Sequence, residues 1–142
     1  MVALSAERNT ARRMGDTRNE PLAASVKVWK GGIVMRNSAG YLTKGATVTG
    51  AFGVGRAEAT VDNSAGVAGA LSIDYRPGTF RFANFATDLI TQADVGKLCY
   101  IVDDQTVAKT DGTGTRSRAG IVEGIESSSV WVRFDEAVTR GM

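Results

Sequence analysis

The chain has 142 residues, 43% hydrophobic and 23% charged, with a net charge of +2. That is an ordinary balance for one globular domain able to bury roughly two thirds of its unfolded surface, and it is too nearly neutral for a polycation built around nucleic acid. The absence of histidine removes the commonest general base and metal ligand, and the single cysteine, Cys99, rules out an intrachain disulfide.

No run approaches the roughly 18 apolar residues of a membrane span. The opening segment MVALSAERNTARR turns polar after four residues and has no apolar h-region of a secretory signal. The expectation is a soluble protein made in a reducing cytoplasm, with neither membrane nor nucleic acid as a partner. Seventeen glycines beside two prolines, together with short β-branched runs, point to a turn-rich β protein.

Residues 1–22 differ from the rest. They carry Glu7, Arg8, Arg12, Arg13, Asp16, Arg18 and Glu20 with few large apolar groups; Gly15 interrupts any helical spacing, and Pro21 biases its predecessor towards extended backbone. This predicts an extended N-terminal arm that reaches about 70 Å when stretched, followed by a β-rich domain over 23–142. The alternative is a tail solvated by its own charges. Its arginines suit phosphate contacts or bidentate clamping of carboxylates on a protein; the mixed charge and lack of aromatics favour protein.

From Ala23 the period is two. Val26 and Val28 share one face and Lys27 and Trp29 the other; Gly31-Gly32 turns the chain, and Ile33 to Arg36 pairs with Tyr41 to Thr43 as a hairpin across Asn37 to Gly40. Thr47 to Phe52 and Val54 to Val61 read as further strands. Leu71, Ile73 and Tyr75 alternate with polar residues up to Arg76-Pro77-Gly78-Thr79, and Phe80 and Phe82 follow, predicting a hairpin about that turn. A helix of about two turns is predicted over Asp88 to Val95, capped by Thr91 or Asp88 and ended by Gly96. Leu98 to Asp103 and Thr106 to Lys109 flank a turn, and Ala119 to Gly124 and Val130 to Phe134 form a last pair. Turns recurring this often are the mark of a sandwich or small barrel.

Chemical motifs are few. Gly50 to Gly55 is rich in glycine, but the strand-like alternation after it and the absence of Gly-Lys-Ser/Thr leave a bulge or tight turn in place of a phosphate loop. Asp103, Asp104 and Asp111 do not have the spacing of a calcium loop and fit turn positions. Cys99 lies in a strand and reads as a packing residue. The expectation is no catalytic residue, no metal and no cofactor. Trp29 and Trp131 both alternate with valines; if the valines are core, both indoles point outwards, which favours subunit or partner contacts. A sheet covered on both faces is the alternative.

Several strings carry a family resemblance: Val2-Ala3-Leu4-Ser5-Ala6-Glu7-Arg8-Asn9-Thr10-Ala11-Arg12-Arg13, Val54-Gly55-Arg56-Ala57-Glu58 with Val61-Asp62-Asn63, Gly78 to Asn84, Asp94 to Asp104, Thr106 to Ala108, Arg118 to Val122 and Val130 to Val132. In these the chain resembles the decoration, or head cement, proteins of tailed-phage capsids. The resemblance implies a non-enzymatic virion protein made in the host cytoplasm. It would bind the capsid outer surface as a homotrimer and bridge major capsid protein subunits. It also implies an arm that touches the capsid through Leu4, Glu7, Arg8, Asn9, Thr10, Arg12, Arg13 and Arg18. The expected core is mainly β, a small β-barrel or β-tulip, with an immunoglobulin-like sandwich as second choice and at most one short helix. The alternative function is a tail or fibre module that binds a receptor glycan.

Overall fold

The computed structural model describes residues 2–13 and 15–142. Twelve strands follow in order: β1 (Arg18–Pro21), β2 (Val26–Val28), β3 (Ile33–Arg36), β4 (Leu42–Lys44), β5 (Phe52–Ala57), β6 (Val61–Asn63), β7 (Ser72–Arg76), β8 (Gly78–Asn84), β9 (Leu98–Asp103), β10 (Thr106–Ala108), β11 (Arg118–Glu126) and β12 (Ser129–Phe134). One α-helix, α1 (Glu136–Gly141), ends the chain.

The protein is mainly β and is built on a closed five-stranded barrel. The ring runs β11, β12, β8, β10, β9 and back to β11, with β8 and β10 parallel and the other pairs antiparallel. Period-two alternation on β12 sends Val130, Val132 and Phe134 inside and Trp131 and Arg133 outside. Phe134 packs edge-on to Phe82 with ring centroids 5.8 Å apart, and each fully buried side chain of this size contributes about 1.5–3 kcal/mol.

A second sheet leaves the barrel through β5, which pairs with β11 in parallel at Phe52↔Arg118. It runs β1, β7, β5, β3, β4, and a parallel bridge between Leu22 and Leu42 links its far end back to the residue that follows β1. The β2–β6 ribbon adds Val26 and Val28 to the core of this lobe, beside Leu22, Val34, Leu42, Val54, Ile73 and Tyr75. Strand β3 belongs to both lobes. Ile33 and Met35 join the barrel core, while Val34 between them joins the second. A strand buried on both faces shows no polar alternation, and Ile33-Val34-Met35 has none.

Two glycines on β5 make the junction. Phe52 and Val54 face the second core, with Gly53 and Gly55 beside them on the strand. A Cβ on Gly53 would overlap the carbonyl oxygen of Ala119 on β11, and one on Gly55 would overlap that of Arg76 on β7. The glycine-rich run expected to be a bulge or tight turn carries a bulge-like register shift: Gly53 and Gly55 pair with Met35 and Val34, leaving Val54 as the extra residue, and neighbouring backbone crosses it closely.

Three expectations need correction. The strand expected over Thr47 to Phe52 begins only at Phe52; the preceding loop is held by Ser117, whose hydroxyl donates to the Val48 carbonyl at 2.6 Å and accepts from the Ala51 N–H at 3.2 Å. The hairpin expected about Pro77 does not form. β7 pairs with β1 and β5, and β8 pairs with β12 and β10, so Pro77 marks the step from one lobe to the other. Proline cannot donate to a ladder, which suits it to a point where pairing changes hands. The helix expected over Asp88 to Val95 shrinks to a 3-10 turn at Gln92–Asp94, because Asp88 is engaged with the loop after β10; the α-helix forms instead at the C-terminus, capped by the Asp135 carboxylate accepting from the Val138 N–H. Helix α1 is tied to β3 by a bidentate pair, Arg36 Nε to Glu136 Oε2 at 2.6 Å and Nη2 to Oε1 at 3.3 Å.

Gly53→Ala is expected to destabilise the fold by about 2–3 kcal/mol or prevent folding, since the obstructing atom is backbone. Gly124→Ala, whose new Cβ meets only Trp131 Cδ1 at 4.0 Å, should change stability by less than about 0.5 kcal/mol. Urea melts of both variants decide the matter.

Candidate interaction surface

Residues 2–13 form neither helix nor strand and are exposed along their length, with Val2 at 92% and Leu4 at 73%. Within this arm Glu7, Arg8, Asn9, Thr10, Arg12 and Arg13 all lie at the surface. The Thr10 N–H donates to the Arg8 carbonyl at 3.0 Å, a local turn, and Arg13 Nη1 stands 3.6 Å from Glu20 Oε1 on β1. An exposed pair of this kind is worth about 0–1 kcal/mol, enough to bias the arm's exit but not to lock it.

The arm ends sooner than expected. Arg18 to Pro21 pairs antiparallel with Tyr75 to Ser72 on β7, and Leu22 is completely buried. The boundary expected after residue 22 therefore falls near residue 17, and Arg18 is a strand residue with its side chain at the surface. The physical reason is Leu22 itself, an apolar side chain in the second core that draws the preceding residues into the sheet. Asn19 fastens the pairing, donating from Nδ2 to Asp74 Oδ1 at 2.9 Å.

Both tryptophans point outwards, as alternation with the buried valines predicts. Trp29, just past β2, is 53% exposed with Lys27 Nζ 3.9 Å from its ring centroid. Trp131 is 37% exposed; its Nε1–H donates to Glu126 Oε2 at 2.8 Å, and Arg81, directly opposite on β8, lies 5.9 Å from the ring centroid. Sequence reasoning missed what surrounds Trp131. A groove of about 650 Å³ is lined by Gly31, Arg56, Arg76, Phe80, Arg81 and Trp131, and so brings residues from both lobes together. The sequence placed Arg76 in a turn rather than on a strand, and the convergence of the three arginines depends on the step at Pro77.

Among the described residues no three acidic, cysteine or histidine side chains gather as a metal site, and no helix is long and apolar enough to cross a membrane. Cys99 is fully buried inside the barrel, and that burial pushes its thiol up to about 12. Asp88 is held below the usual carboxylate range, chiefly by the Thr110 hydroxyl donating at 2.6 Å, with the Thr110 N–H and Arg116 Nη1 adding to it. These bonds pin the loop between β10 and β11 and serve structure.

In the folded protein Cys99 should resist a thiol reagent such as DTNB at pH 8 and react fully only in denaturant, because the thiolate is the reactive form. Asp88 has a folded-state pKa below its unfolded one, so its contribution is full above about pH 4 and is lost as pH falls through the folded value. Asp88→Asn is accordingly expected to cost about 1 kcal/mol at pH 7, a fall of about 3 °C in Tm, with the difference from the parent shrinking below about pH 4 in thermal melts.

Comparison with protein-family models, curated proteins and solved structures returned no match, so function is argued from the residues and their geometry.

Proposed function

We propose that the protein is a non-enzymatic decoration protein of a phage capsid that binds the outer surface of the shell and bridges major capsid protein subunits. The observation that carries this reading is the exposed arm of residues 2–13 that leads into β1, a strand held along β7 in the second sheet. The family resemblance of the arm and of the strands after Asp94 supports it as well.

In this mechanism no bond is made or broken. The body sits on the shell as a homotrimer, and the arm lies across a neighbouring capsid subunit. Residues 2–17, fully extended, span about 55 Å, which is long enough to leave one subunit's footprint. The exposed backbone of Val2 to Glu7, ahead of the Arg8–Thr10 turn, would add as a strand to an exposed sheet edge, while Arg8, Arg12 and Arg13 add charge-assisted bonds to capsid carboxylates. Ordering the arm costs about 1–2 kcal/mol per residue of backbone entropy, so one arm alone binds weakly. Three arms on one trimer raise the apparent affinity by about 10² to 10⁴, which makes the trimer the binding unit.

Deletion of residues 2–17 is expected to leave Tm within about 2 °C, since β1 and Leu22 stay in place, while occupancy on heads stripped of decoration falls at least about tenfold, read by gel densitometry of sedimented particles. Deletion of residues 2–22 should instead open the second core and lower stability by about 2–5 kcal/mol through loss of Leu22. Full occupancy by the shorter truncation would remove the arm from the mechanism.

A further inference from the structure

The groove beside Trp131 has three features that point to one kind of ligand. The first is an uncovered strand edge. The Ala83 N–H donates to Gln105 at 2.9 Å and the Phe85 N–H to Val107 at 2.9 Å, both on the β10 side, whereas the Asn84 N–H donates to Ser128 at 3.0 Å on the β12 side. Alternation therefore turns the main-chain groups of Thr79 and Arg81 towards the β10 side as well. Pairing with β10 stops at Ala83, so no strand meets Thr79 or Arg81 there. The groove borders this open stretch.

The second feature is charge. Arg56, Arg76 and Arg81 converge on the groove. Arg56 is partly neutralised by Glu58 at 2.7 Å and stacks over Phe80, its Cζ 4.2 Å from the ring centroid; Arg81 has Glu126 at 3.5 Å. Arg76 donates from Nη2 to the Thr17 hydroxyl at 3.2 Å, and its Nε is shielded from water with no acceptor among the described residues. An under-satisfied guanidinium gains from an incoming carboxylate more than a fully hydrated one does, because part of its desolvation has already occurred. The third feature is apolar: the part-exposed Trp131 ring, beside the edge of Phe80, offers a surface on which aliphatic or aromatic side chains can rest.

We propose that this groove is a strand-addition site for an acidic, extended peptide segment of a partner protein, pairing main chain to main chain with Thr79 and Arg81 and placing a carboxylate on Arg76. A second copy's arm is not the occupant, because Arg8, Arg12 and Arg13 against Glu7 and Asp16 leave it with the sign of the groove. Alternate residues of the incoming strand would face the arginines and the rings, which gives the site its specificity. The inference deepens the capsid-binding reading by naming a contact on the body, separate from the arm, yet it stands on the groove alone.

The test uses the full-length protein carrying Trp29→Phe, so that Trp131 is the sole fluorophore of its kind. The probes are a capped hexapeptide alternating glutamate and valine, the same peptide with lysine for glutamate, and a single-stranded oligodeoxynucleotide. The expected result is saturable quenching or shift of Trp131 by the acidic peptide, slowed amide exchange at Thr79 and Arg81, and at least tenfold weaker binding in Arg76→Gln and in Arg81→Gln but not in Lys97→Gln, outside the groove. Arg81 is exposed, so its variant keeps the test valid should Arg76→Gln misfold. Absence of binding, equal binding of the lysine peptide, or an oligonucleotide that binds in preference with the same arginine dependence would overturn the proposal. Since no capsid enters this assay, its failure leaves the occupancy measurement on stripped heads to judge the capsid reading separately.

Discussion

Burial of β3 on both faces is the constraint on which the architecture rests. Ile33 and Met35 complete the barrel core and Val34 completes its neighbour, so neither hydrophobic cluster is finished without this short strand. Each lobe supplies the wall that the other lacks. Close backbone approach of Gly53 to Ala119 then fixes how near the two can lie. The chain gains rigidity from this shared partition, because the interior packs densely and transmits any shift from one side to the other.

That rigidity makes the exposed features meaningful. Arg18 to Pro21 is held along β7, and the polypeptide before it leaves the body at a defined place. The same partition sets the β2–β3 turn against β8 and β12, so Gly31, Arg76 and Trp131 share one groove though they are distant in sequence. A rigid frame spends little free energy on organising such a surface when a partner arrives.

Strong alternation made most barrel strands legible. Val130 to Phe134 and Leu98 to Asp103 each have one apolar face, and their turns carry aspartate, glutamate or serine at the right places. The β3–β4 hairpin was equally readable from Asn37 to Gly40. What escaped was partnership. Leu71 to Phe82 looks like two strands around a Pro-Gly turn, and local chemistry says hairpin; tertiary pairing sends the halves to different lobes. The terminal helix was missed because Glu136 to Gly141 is short and its tie to β3 through Arg36 depends on a contact no local pattern reveals. The outward aim of both tryptophans followed from neighbouring valines, whereas the convergence of Arg56, Arg76 and Arg81 did not, since it needs three strands in their final order.

The crossing at Pro77 also has a temporal side. Ile33 and Met35 emerge early in synthesis, yet the side chains they pack against, from Cys99 to Phe134, emerge last. Contacts between such remote parts of a chain form slowly, on the order of milliseconds to seconds for barrels of this kind. The leading half can assemble the second core, from Leu22 to Tyr75, out of its own residues, whereas the barrel core waits for the later strands to close the ring. The arm, needing no partner from its own chain, is already outside when that happens.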